Sequence, residues 1–184
     1  MTALDFFARW RVRIGYLLAV VVLWLARPTP KSILLGAIVG VIGLGIRAYA
    51  AGYLRKQTVL TVTGPYARTR NPLYFGSAVL MLGAALAMHS WWSAAILLIY
   101  FALVYTMVMR REELELRQQH GPAFDAYALA VPLFFPRVSG GAHSSPDGGA
   151  FSWQQYKQNH EYQAAYGFVL LLLALVIIWR LHTP

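Results

Sequence analysis

The chain is 184 residues long, 58% apolar and only 12% charged, against about 45–50% apolar and about 25% charged in an average soluble domain. A soluble fold of this size has too little interior to hide that much apolar surface, so the composition excludes an ordinary soluble domain and points to a bilayer. The absence of cysteine removes disulfides, thiolate nucleophiles and cysteine-type zinc sites, and the net charge of +9 is read as basic loops facing anionic lipid rather than as a nucleic-acid surface.

Uncharged apolar runs lie at 14–26, 32–46 continuing past Arg47 to Tyr53, 73–88, 91–109 and 164–179. They predict a single domain of the all-α integral membrane class, with five transmembrane helices at about 12–27, 32–53, 72–89, 91–109 and 163–180. The first run has a basic lead (Arg9, Arg11, Arg13) as a secretory signal would, but no small-residue cleavage site, and is read as a span. Basic residues gather before span one (Arg9, Arg11, Arg13), between spans two and three (Arg55, Lys56, Arg68, Arg70) and between four and five (Arg110, Arg111, Arg117, Arg137, Lys157). That asymmetry predicts a cytoplasmic N-terminus and a C-terminus on the opposite side. His89-Ser90 is short enough to make spans three and four an antiparallel hairpin. Gly36 and Gly40 form a GxxxG, for which packing within the monomer is favoured over dimerisation.

The two larger polar segments, 54–72 and 110–137, therefore share the cytoplasmic face. In the first, Gly64-Pro65 marks a turn and Pro72 is placed to open span three, which brings Arg70 and Asn71 to its mouth and Tyr74 one turn inside. In the second, span four continues as a helix into the cytoplasm, since no breaker precedes Gly121-Pro122. Four of the seven acidic residues, Glu112, Glu113, Glu115 and Asp125, fall in this stretch beside Arg110 and Arg111. A carboxylate cluster abutting a basic one at the bilayer edge can bind a cationic or zwitterionic ligand. Residues 138–150 form a glycine- and serine-rich linker expected to be flexible, and Trp153, Tyr156 and Tyr162 are interfacial anchors. Arg47, inside span two, either snorkels or contacts an anionic headgroup, and His160 and Glu161 either anchor the interface or reach the site.

GPYARTRNPLY followed, after a helical hairpin, by RREELELRQQHGPAFDAYALAVPLFFP resembles the paired signature of the isoprenylcysteine carboxyl methyltransferase and phospholipid methyltransferase superfamily. Gly64, Pro65, Tyr66, Arg70, Pro72 and Tyr74 match the first half; Arg110, Glu112, Glu113, Leu116, Gly121, Tyr127, Val131, Pro132 and Pro136 match the second. Asn71 stands where histidine is commonest, His120 in place of a phenylalanine and Phe124 in place of a tyrosine, so a proton-transfer role at position 71 is not carried over. The resemblance implies S-adenosylmethionine bound at the cytoplasmic edge of the membrane and methyl transfer to a lipophilic or lipidated acceptor, by O-methylation of a prenylcysteine-type carboxylate or N-methylation of a phospholipid amine. It implies Tyr66, Arg70, Asn71, Pro72, Tyr74, Glu113 and Tyr127 as cofactor-binding residues and Arg110, Glu112 and Glu113 as catalytic ones, with no metal. The competing readings are an NADPH-dependent membrane reductase of the steroid reductase-like type, which has a similar proline-tyrosine segment, and a non-catalytic membrane scaffold.

Overall fold

The computed structural model describes residue 15 and residues 17–55, 59–138 and 149–182. Its regular elements are all helical: α1 over 17–24, α2 (Pro30–Tyr53), a 3-10 turn (Gly64–Ala67), α3 (Pro72–Met88), α4 (Trp91–His120), α5 (Pro122–Ala130), α6 (Trp153–Gln158) and α7 (Tyr162–His182). Three of them, α2, α4 and α7, are long and apolar enough to cross a membrane, while α3 is a shorter apolar helix of 17 residues. The start of the first expected span and most of the expected linker, 139–148, lie outside the described residues.

The packing is inverted relative to a soluble protein. The buried residues of α2 are Ser32, Gly36, Gly40, Gly43, Ala50, Ala51 and Gly52, whereas Leu34, Leu35, Ile38, Val41 and Ile42 are exposed. Lipid offers no hydrophobic drive for helices to associate, so close packing of small side chains holds them instead. A Cβ added to Gly36 would lie 2.4 Å from the Gly83 carbonyl oxygen, and one added to Gly40 would meet the Phe168 ring. The GxxxG is thus occupied within the chain, by α3 and α7. Exposed Trp24, Trp91 and Trp92 mark one end of the helices as an aromatic border.

Polar caps fix the helix ends. Thr29 Oγ1 accepts from the Ser32 amide and Ser32 Oγ from the Thr29 amide, a reciprocal capping box before the first-turn Pro30. Between α3 and α4, His89 takes a left-handed conformation (φ 51°) and Ser90 caps α4, closing the expected hairpin. At 30 residues α4 is about 45 Å long against about 30 Å of hydrocarbon, so its last turns continue past the apolar part of the bundle. That extension meets the C-terminal end of α2 and the N-terminal end of α3 on one side of the molecule.

Candidate functional site

The two polar segments fold onto each other through backbone and side-chain hydrogen bonds. The Arg70 amide donates to the Pro132 carbonyl (2.9 Å), Asn71 Nδ2 to Leu133 (3.0 Å), Thr69 Oγ1 to Phe134 (2.9 Å) and the Arg137 amide to Arg68 (3.0 Å). The Tyr127 hydroxyl donates to the Tyr66 carbonyl at 2.7 Å, above a buried cluster of Phe124, Tyr127 and Val131 packed on Leu60, Val62 and Leu116. Asn71 therefore ties the segments together with an amide N–H, a task that needs a donor and no titration. This is why an asparagine can hold a position where the resembling family most often has histidine.

Beneath this clamp lies a cavity of about 480 Å³, within the range of small-molecule sites. Its walls include Tyr66, Arg70, Asn71, Pro72, Tyr74, Glu112, Glu113 and Tyr127, eight of the nine site residues expected from the sequence. Arg70 Nη2 pairs with Glu113 Oε1 at 3.0 Å, and Arg70 Nη1 donates to the Ala128 carbonyl at 3.2 Å, so the α4 extension, α5 and the mouth of α3 converge on one guanidinium. The Tyr74 hydroxyl donates to Glu112 Oε1 at 2.5 Å, fixing the second carboxylate. Among the described residues Glu112 makes no ion pair, which leaves its charge available to a cationic ligand.

The ninth residue, Arg110, is exposed and off the cavity wall. At about 100° per residue it sits about 160° around α4 from Glu112, whereas Leu116, Gln119 and His120 return to the cavity face. Arg47 and Glu161 also line the cavity, paired Nη2 to Oε2 at 2.7 Å, and His160 does not. Arg47 had a sequence signal as a charge inside a span. Glu161 had little, because 114 residues separate it from its partner.

Burial pushes the phenols of Tyr66 and Tyr127 well above the usual tyrosine range, so both remain protonated donors rather than bases at neutral pH. Among the described residues, the Tyr66 hydroxyl and Arg70 Nε are buried with no hydrogen-bond partner, beside the carboxylate of Glu113 held by Arg70 Nη2. Buried polar atoms are ordinarily satisfied, and a donor set of phenol and guanidinium beside a carboxylate suits a ligand carrying both signs of charge. The residues present thus fit an amino-acid-bearing sulfonium such as S-adenosylmethionine.

A family model described as phospholipid methyltransferase matches residues 10–123. The chain is 35% identical over 140 residues to the nickel-cobalt-cadmium resistance protein NccN of Alcaligenes xylosoxydans xylosoxydans, covering 71% of this chain and 64% of that protein. It is 33% identical over 137 residues to the cobalt-zinc-cadmium resistance protein CzcN of Cupriavidus metallidurans, covering 71% of this chain and 63% of that protein. The chain thus spans somewhat less than two thirds of the length of these relatives. No solved structure matches it. The matched region holds both the RNPLY turn and the glutamate-bearing helix that meet at the cavity, and on that match the chain belongs to the phospholipid methyltransferase family of integral membrane proteins.

Proposed function

We propose that the protein is an S-adenosylmethionine-dependent methyltransferase acting on a lipid or lipidated acceptor at the cytoplasmic edge of the membrane. We further propose that α1 and α3 complete a five-span topology with the N-terminus inside the cell. The observation that carries the reading is the convergence on one cavity of the unpartnered buried donors of Tyr66 and Arg70, the Arg70–Glu113 pair and Glu112, which makes no ion pair among the described residues.

When bound, S-adenosylmethionine supplies a methyl group on a sulfonium: the acceptor's lone pair forms the new bond to carbon as the carbon–sulfur pair leaves on sulfur, giving S-adenosylhomocysteine. The chain's own work is positioning and water exclusion, because an in-line displacement is accelerated chiefly by holding the reactants at near-attack geometry. The Arg70 fork, fixed by Glu113 and the Ala128 carbonyl, orients a carboxylate. Glu113 and Glu112 favour cationic groups. Glu112, held by Tyr74, is also the group placed to take the proton from an ammonium acceptor, whereas a carboxylate acceptor is already ionised and requires no base.

The test is thermal stability of the purified protein in detergent. S-adenosylmethionine and S-adenosylhomocysteine are expected to raise the midpoint, by about 2.7 kcal/mol of linkage at a hundredfold excess over Kd. Stabilisation by NADPH, with no response to either methyl-cycle ligand, would replace this reading with the reductase. Transfer of a labelled methyl group from S-adenosylmethionine into a membrane lipid extract then identifies the acceptor. The relatives' names suggest a setting: we propose that methylation of a membrane component contributes to tolerance of nickel, cobalt or cadmium. A strain carrying Glu113→Gln is expected to lose any tolerance that the unaltered chain confers.

A further inference from the structure

Two ion pairs line the cavity, and they differ in place. Arg70 lies just before α3, and Glu113 on the extension of α4 beyond its apolar part. Arg47–Glu161 joins α2 to the residue preceding α7, two of the candidate spans. Arg47 lies six residues before the end of α2, about 9 Å along its axis, so its guanidinium is recessed into the apolar bundle. Its side chain is 19% exposed and that of Glu161 is 11% exposed.

Holding α7 on α2 does not by itself account for such a pair, because a buried ion pair contributes little net stability over apolar packing. Nor is the arginine's hydrogen-bonding capacity used up. Nη2 meets a single oxygen of Glu161, and Nη1 donates to Ser77 Oγ and lies 3.5 Å from the Leu73 carbonyl. Nε is buried with no partner among the described residues. An oxyanion engages an arginine best through two N–H groups at once, and an unmade buried hydrogen bond is costly. The cavity therefore has an open donor on the wall that α2 contributes, separate from those of Tyr66 and Arg70.

We propose that Arg47, braced by Glu161 and Ser77, is the positioning residue for the acceptor: it holds an oxyanion, phosphate or carboxylate, borne by a lipid that reaches the cavity from the bilayer. This rests on the methyltransferase reading, with Arg70–Glu113 serving the methyl donor and Arg47 the acceptor. The like charge of Glu161 is offset where the same headgroup also carries an ammonium.

The full chain in detergent is titrated with dihexanoyl phosphatidate, decanoate, dihexanoylglycerol, inorganic phosphate and S-adenosylhomocysteine, with the midpoint of unfolding as readout. Phosphatidate or decanoate is expected to stabilise the unaltered protein, and dihexanoylglycerol and inorganic phosphate are not. Arg47→Met is expected to weaken the oxyanion-lipid response at least about tenfold, the scale of one charge-assisted contact, while the S-adenosylhomocysteine response stays. Arg47→Met with Glu161→Gln removes both charges together and tests the same point without stranding a buried carboxylate. The proposal is overturned if the double variant responds to the oxyanion lipids as the unaltered protein does. It is equally overturned if dihexanoylglycerol or inorganic phosphate stabilises as strongly as they do, or if Arg47→Met abolishes the S-adenosylhomocysteine response, which would put Arg47 in the donor site. Failure of S-adenosylhomocysteine to stabilise the unaltered protein would instead remove the methyltransferase reading and leave an Arg47-dependent lipid site standing.

Discussion

Glu113→Gln isolates the charge at the centre of the site. The substitution keeps the volume of the side chain and an oxygen that can accept from Arg70 Nη2, now 3.0 Å away, so the clamp between α3 and α4 persists. What is lost is a negative charge in a partly buried setting, with Glu113 26% and Arg70 15% exposed. A unit charge pair at about 4 Å is worth about 1 kcal/mol in bulk water and about 4 kcal/mol at the effective dielectric of a protein surface. Intermediate exposure puts the loss toward a cationic ligand at about 2 kcal/mol, or about 30-fold in affinity. Calorimetric titration of S-adenosylhomocysteine into the purified protein measures it, with circular dichroism as the check on folding. A folded Glu113→Gln that binds within about threefold of the unaltered chain would refute the assignment of Glu113 to the donor site.

Arg110→Ala serves as the contrast: its exposed position on the far face of α4 predicts S-adenosylhomocysteine affinity within about twofold of the unaltered protein in the same titration. Gly36→Ala is expected to lower the midpoint of unfolding in detergent, by about 1–3 kcal/mol or more, because its Cβ meets the Gly83 and Ala87 backbone rather than a movable side chain. Gly45→Ala, with open space around it, is expected to be neutral or stabilising by about 0.5–1 kcal/mol. Tyr127→Phe removes the 2.7 Å hydrogen bond to the Tyr66 carbonyl and is expected to cost about 1–3 kcal/mol. The same phenol sets a pH dependence. Its folded pKa is raised, so its contribution is complete below the unfolded value of about 10 and is lost as pH rises from there toward the folded one. The midpoint of the unaltered protein should therefore fall more steeply between about pH 10 and 11 than that of Tyr127→Phe, and parallel curves would disprove the burial effect.

Composition and the order of apolar runs were sufficient to determine an all-helical membrane chain, and the breakers around them determined most helix ends. Pro72, the His89-Ser90 turn and Gly121-Pro122 each act within a few residues, and each boundary falls where they stand. The paired motifs likewise identified eight of the cavity's residues, because both segments carry dense polar groups beside helix-opening prolines. Three points were decided only in three dimensions. Arg110 and Glu112 are neighbours in sequence, but the rotation of α4 puts them on nearly opposite faces. Gly36 and Gly40 suit a partner helix in any molecule, and the close approach of Gly83 and Phe168 shows that this chain supplies the partners itself. Arg47 and Glu161 share a cavity because α2 and α7 pack side by side. Spacing reports on one helix face at a time, and a contact between distant helices depends on how their small-residue stripes meet.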